Sequence, residues 1–153
     1  FTGSCEDLDG YYDAVGSSQA DRYIRTTKEL QLYLGRNCSP EALKSIENLT
    51  IATFTEPTLP KVNNVEVADT ALTYIQKQIL GARIKEYISE TRKYDQDMVK
   101  IYTTVHGQCT DAMIQQLETD KRYEGVRNKS HPIGLLKMIK KITYKQTLNT
   151  IIN

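Results

Sequence analysis

The stretch 83–106, RIKEYISETRKYDQDMVKIYTTVH, decides the fold class. Ile84, Thr91, Met98 and Val105 recur every seven residues, with Tyr87, Tyr94 and Ile101 interleaved, which is the spacing of a single helix face. Asp69 is a good N-cap residue ahead of this run, and no proline follows it until Pro132. As one helix, 69–106 would be about 57 Å long at 1.5 Å per residue, against about 40 Å for the diameter of a compact domain of this size. The segment is therefore expected to break, bend or protrude. Gly81 is the expected weak point, because glycine costs about 1 kcal/mol in a helix interior. Tyr87, Tyr94, Met98, Ile101, Val105 and His106 are the expected packing or assembly surface of the helix.

The same period appears on both sides. Ala20, Tyr23, Ile24, Thr27, Leu30 and Leu34 predict a helix from about Ser18 to Leu34, stopping at Gly35. Ser39-Pro40 reads as an N-cap with proline in the first turn, opening a short helix with Leu43, Ile46 and Leu49 on its apolar face. Residues 1–17, with Gly3, Gly10 and Gly16, read as an irregular lead-in. Residues 50–66, with Pro57, Pro60 and Asn63-Asn64, read as a loop that leaves room for a brief extended piece at Ile51 or Val62. Beyond the long run, Gly107 is a stop. Thr110 or Cys109 opens a further helix through Met113 and Leu117, and Ser130 is the expected cap of a last helix carrying Leu135, Leu136, Ile139 and Ile142. The expected architecture is all-α, a compact bundle of five to six helices forming one domain over 1–153.

Twenty basic and nineteen acidic residues nearly cancel, but their distribution is uneven. Glu6, Asp7, Asp9 and Asp13 precede the first base, Arg22, whereas from Lys121 onward eight bases face one acid, Glu124. Such polarity orients neighbours head to tail or places the basic end on an anion. Lys137, Lys141 and Lys145 recur at intervals of four, with Lys140 beside them, and these four are the candidate RNA contacts. The binding expected of them is weak, salt-sensitive and blind to sequence, since only Tyr123 and Tyr144 lie nearby for stacking. A solvated lysine face is the competing reading.

The remaining signals exclude more than they offer. Cys5, Cys38 and Cys109 are scattered and odd in number, as a reducing, cytoplasmic setting permits, and show no metal-ligand spacing. Three glycosylation triplets, at Asn37, Asn48 and Asn128, are within chance for seven asparagines. No apolar run approaches the ~20 residues of a membrane span. The chain starts at Phe1 rather than Met, so it reads as a processed or excised piece. Asp7-Leu8-Asp9-Gly10 fails as a calcium loop, because Tyr12 and Ser18 stand where glycine and glutamate are needed. His106 and His131 have no acid at ligand spacing, and no glycine-rich phosphate loop exists. No catalytic residue, cofactor or metal is expected, and the protein is read as a non-enzyme that contacts macromolecules.

Several short motifs recur, in this order, in a known family: Phe1-Thr2-Gly3-Ser4-Cys5, Thr26-Thr27-Lys28-Glu29, Tyr33-Leu34-Gly35-Arg36, Gly107-Gln108-Cys109-Thr110-Asp111-Ala112-Met113, and Leu135-Leu136-Lys137 followed by Ile139-Lys140. Together they resemble the Gag-like capsid region of copia-type LTR retrotransposons. The resemblance implies a helical capsid domain whose copies associate into a particle around the element's RNA. It also implies a large aromatic residue where this chain has His106, hence half-buried packing surface at that position. The other reading of the same resemblance is a host protein descended from Gag and kept as a helical adaptor or RNA-transport module.

Overall fold

The computed structural model describes residues 1–152, with side chains described up to Leu148. Among them are six α-helices and a single two-residue hairpin, so the chain is all-α. Where the sequence suggests one domain over 1–153, the contacts group into two compact units, residues 1–52 with 96–153, and residues 53–95.

In the first unit, helices α1 (Gln19–Asn37), α2 (Pro40–Asn48), α4 (Asp111–Glu118) and α5 (Tyr123–Asn128) all pack against α6 (Pro132–Ile152). The sequence explains why α6 is the hub. Leu135, Leu136 and Ile139 are fully buried, and Ile133 and Met138 nearly so, which leaves its first turns apolar almost all round. Each such side chain contributes about 1.5–3 kcal/mol on burial. The last turns of α3 (Tyr74–Gly107) belong to the same unit and bury Met98, Ile101 and Val105.

Helix ends follow local rules, not always those the sequence suggested. Ser39 caps α2 through Ala42, and Asp97 Oδ2 accepts the Ser39 amide at 2.8 Å, placing a carboxylate near that N-terminus. Thr110 caps α4 by accepting from the Met113 amide at 3.2 Å. Helix α1 runs past Gly35 to Asn37, and its Ala20 amide is capped by the Thr147 hydroxyl of α6 at 3.1 Å. Ser130 does not cap α6. It adopts φ 48° and closes α5, the amides of Ser130 and His131 returning to the carbonyls of Arg127 and Val126. The α6 cap is His131, whose Nδ1 accepts the Gly134 amide at 3.2 Å.

The lead-in 1–17 has no helix, yet it is fixed. Gln108 is 1% exposed and its side chain reaches across about a hundred residues of sequence. Its Oε1 accepts the Cys5 amide at 2.9 Å, and its Nε2 donates to the carbonyls of Gly10 at 2.7 Å and Leu8 at 3.4 Å. The backbone of 107–110 holds the same strap. Ser4 N–H donates to Gly107 O, Tyr12 N–H to Gln108 O and Thr110 N–H to Tyr12 O, at 2.8–3.0 Å. A Cβ at Gly3 would collide with the Gln108 amide, and one at Gly107 would lie 2.8 Å from Ser4 Oγ. Both glycines are therefore set by close approach rather than by backbone angle.

The second unit comprises the segment from Thr53, a hairpin, a 3-10 turn at Asp69–Ala71 and the first turns of α3. Strands β1 (Lys61–Val62) and β2 (Val65–Glu66) pair Val62 with Val65 across Asn63-Asn64. Both asparagines have positive φ, as a tight two-residue hairpin turn demands. Asp69 does not open α3. Thr73 does: its Oγ1 accepts the Gln76 amide at 3.2 Å, while Gln76 Oε1 accepts the Thr73 amide at 2.9 Å. Nor does α3 break at Gly81. It runs unbroken for 34 residues, about 51 Å, because a penalty near 1 kcal/mol does not interrupt a run of good helix formers.

Two substitutions test this account of the fold. Gln108→Ala leaves buried strap groups unpaired and is expected to cost about 3 kcal/mol in chemical denaturation. Limited proteolysis should then cut first within 3–14. Ser130→Gly relieves a left-handed residue and is expected to stabilise by about 0.5–1 kcal/mol, read from the denaturation midpoint at constant m-value.

Candidate functional surfaces

Helix α6 carries basic residues on two sides. Lys137, Lys141 and Lys145 face the turn between α4 and α5, where they wall two adjoining grooves of about 540 and 310 Å³. Lys121 and Arg122 supply the opposite wall, and Met138 and Val126 line the grooves with apolar surface. Arg122 is compensated. It grips Asp120 with Nη2 at 2.9 Å and Nε at 3.2 Å, and these bonds hold the Asp120 carboxyl down to about 2. Lys121, Lys137, Lys141 and Lys145 give the grooves their positive character. Lys140 points elsewhere. Its ammonium lies 5.4 Å from the Tyr144 ring centroid, and that ring meets Tyr23 of α1 edge-on at 6.1 Å. The four predicted RNA contacts are thus three and one. Lys121 and Arg122 were missed, since four-residue spacing reveals a helix face but not which turn lies opposite it.

The predicted packing residues of α3 also divide. Met98, Ile101 and Val105 are core of the first unit, and Tyr94 is buried in the second, with the Phe54 ring 5.4 Å away. Tyr87 is half-buried beside 54–58. In the first turns of α3 the isoleucines are exposed: Ile75, Ile79, Ile84 and Ile88 all lie open to solvent, while Leu80 is half-buried. This is an uncommon amount of branched apolar surface for one exposed helix segment.

His106 is half-buried and stacked between aromatic rings, with centroids 5.7 Å from Tyr102 and 6.5 Å from Tyr123. Its Nε2 lies 2.8 Å from Tyr123 Oη. Burial first, then the nearby Arg127 charge, pushes the imidazole pKa below its usual value. The position is packing surface with a satisfied polar edge. Cys109 is buried, and burial pushes its thiol up to about 12, so it serves as a small core hydrophobe. Among the described residues no three His, Cys, Asp or Glu side chains form a group that could hold a metal ion, and no helix is long and apolar enough to cross a membrane.

No protein-family model matches the chain, and neither curated proteins nor solved structures show a significant similarity to it.

The His106 geometry has a pH signature. With the folded pKa below the unfolded value near 6.5, the unfolded chain takes the proton first, so stability falls as pH drops below about 6.5. Between about pH 7.5 and 5.5 the native chain should lose more Tm than His106→Phe does. Equal losses would show that His106 takes up its proton alike in the folded and unfolded chains.

Proposed function

We propose that the chain is a non-enzymatic, cytoplasmic structural protein of Gag-like capsid type, whose copies associate through helix faces and hold RNA against the basic grooves of α6. The observation that carries this reading is the set of exposed isoleucines on the first turns of α3, Ile75 and Ile79 on one side of the helix and Ile84 and Ile88 on the opposite side. An isolated globular domain gains nothing by presenting such surface to water, at about 25 cal/mol per Å² of apolar area. A protein that multiplies weak contacts in a shell has a use for it. The order of motifs from Phe1-Thr2-Gly3 to Leu135-Leu136-Lys137 points the same way through its likeness to copia-type Gag.

The lysine row gives the RNA part its physics. Successive members of Lys137, Lys141 and Lys145 are about 6 Å apart along the helix axis, similar to the step between phosphates of a ribonucleotide strand. Each neutralised phosphate releases counterions, so log affinity falls with log salt by about 0.7 per contact for a single strand.

Two measurements test the reading. Sedimentation should show a mean mass that rises with protein concentration, and a strict monomer at about 1 mM would exclude capsid-type association. RNA binding to Lys137→Gln/Lys141→Gln/Lys145→Gln should show a salt slope shallower by about 2, whereas Lys140→Gln should leave it nearly unchanged. Affinity that ignores salt, or depends strongly on RNA sequence, would remove RNA from the proposal.

A further inference from the structure

One stripe along the exposed first turns of α3 reads Lys77, Gly81, Ile84, Ile88, Thr91, Asp95, at the three- and four-residue spacing of a helix seam. All six lie in the second unit. Ile84 and Ile88 keep 41% and 47% of their surface exposed. Gly81 borders open space, since a Cβ there would meet nothing within 4 Å. The Thr91 hydroxyl is already used, donating to the carbonyls of Tyr87 at 2.9 Å and Ile88 at 3.1 Å, so it adds no unmet polar group to the stripe. Lys77 and Asp95, at the two ends, are exposed.

The stripe is symmetric in chemistry about the level of Glu86. Reading outward, Ile84 answers Ile88, Gly81 answers Thr91, and Lys77 answers Asp95, each pair equidistant from that level. An antiparallel copy laid along it therefore sets isoleucine on isoleucine at the centre. It also sets the missing side chain of Gly81 opposite Thr91, and a base opposite an acid at both ends. A parallel copy would set lysine on lysine and aspartate on aspartate. From Tyr74 to Lys85 there are three bases and no acid, whereas Glu86 to Asp95 holds three acids and two bases, so the longer-range charge also favours the antiparallel arrangement.

We infer that this stripe is an isologous interface, on which a second copy of the chain docks its own α3 antiparallel, with the two-fold axis passing level with Glu86. The inference rests on the self-associating reading above and gives it a surface, an orientation and a register. The stripe from Lys77 to Asp95 is about 27 Å long. Such a contact belongs to the small, weak class of interfaces, below about 1,200 Å², which suits a subunit contact repeated many times.

The test is a charge swap read by sedimentation equilibrium at low salt. Lys77→Asp sets like charges face to face at both ends of the pair, as does Asp95→Lys, and each should weaken dimerisation about tenfold. The double variant Lys77→Asp/Asp95→Lys restores base opposite acid and should recover the native affinity. Ile88→Glu should abolish dimerisation while helicity and Tm stay native, since the side chain is exposed. Self-association that persists through Ile88→Glu, or single reversals without rescue in the double variant, would overturn the α3 pairing and leave capsid-type association by another face standing. A native chain that is monomeric throughout would overturn both.

Discussion

The buried amide of Gln108 is the interaction on which the rest of this structure depends. A glutamine with its whole side chain out of water is costly unless each polar atom is matched, and here both ends are matched by backbone groups of the lead-in. One residue thereby performs three tasks. It marks the end of α3, it converts 3–14 from loose chain into a fitted strap, and it sets the entry to α4, where Thr110 both caps the helix and donates to Asp13 at 2.8 Å. Tyr12, nearly fully buried behind the strap, then packs against Tyr23 and exchanges a hydrogen bond with Thr27, which ties the strap to α1. Gly3 and Gly107 are consequences of the same contact, because any side chain there would push the strap off the amide.

With that anchor in place, α3 has two characters along one continuous backbone. Its last turns are ordinary core, whereas its first turns carry isoleucines into solvent and are bounded by a capping box at Thr73 and Gln76. The basic grooves occur on α6, within the first unit, so the proposed RNA contacts and the proposed pairing stripe are built on different helices.

Much of the helical skeleton was readable in the sequence. The period of three and four in 20–34 and 84–105, the Ser39-Pro40 start and the Thr110 cap are local signals, and local signals survive into the structure. What failed was non-local or small. The lead-in looked irregular because its order is imposed by a glutamine about a hundred residues away, which no spacing rule detects. Short α5 escaped notice because six residues hold too little periodicity. Ser130 looked like a cap by type, but it lies in the left-handed turn that closes α5, and His131 takes the capping role. Gly81 does not break α3, since its cost is minor against 34 residues of helix. At the candidate surfaces the lysine row was visible, while its opposite wall at Lys121 and Arg122 depends on a tertiary turn.

The central physical claim, that the Gln108 strap is part of the cooperative core rather than a loose appendage, is tested most directly by native-state amide hydrogen exchange. The Cys5 and Tyr12 amides bond to the Gln108 side chain and carbonyl, and they should exchange only through the same opening that exposes the core amides of α6 at Leu136 and Ile139. Exchange of Cys5 and Tyr12 at free-chain rates, while Leu136 and Ile139 remain protected, would contradict the account.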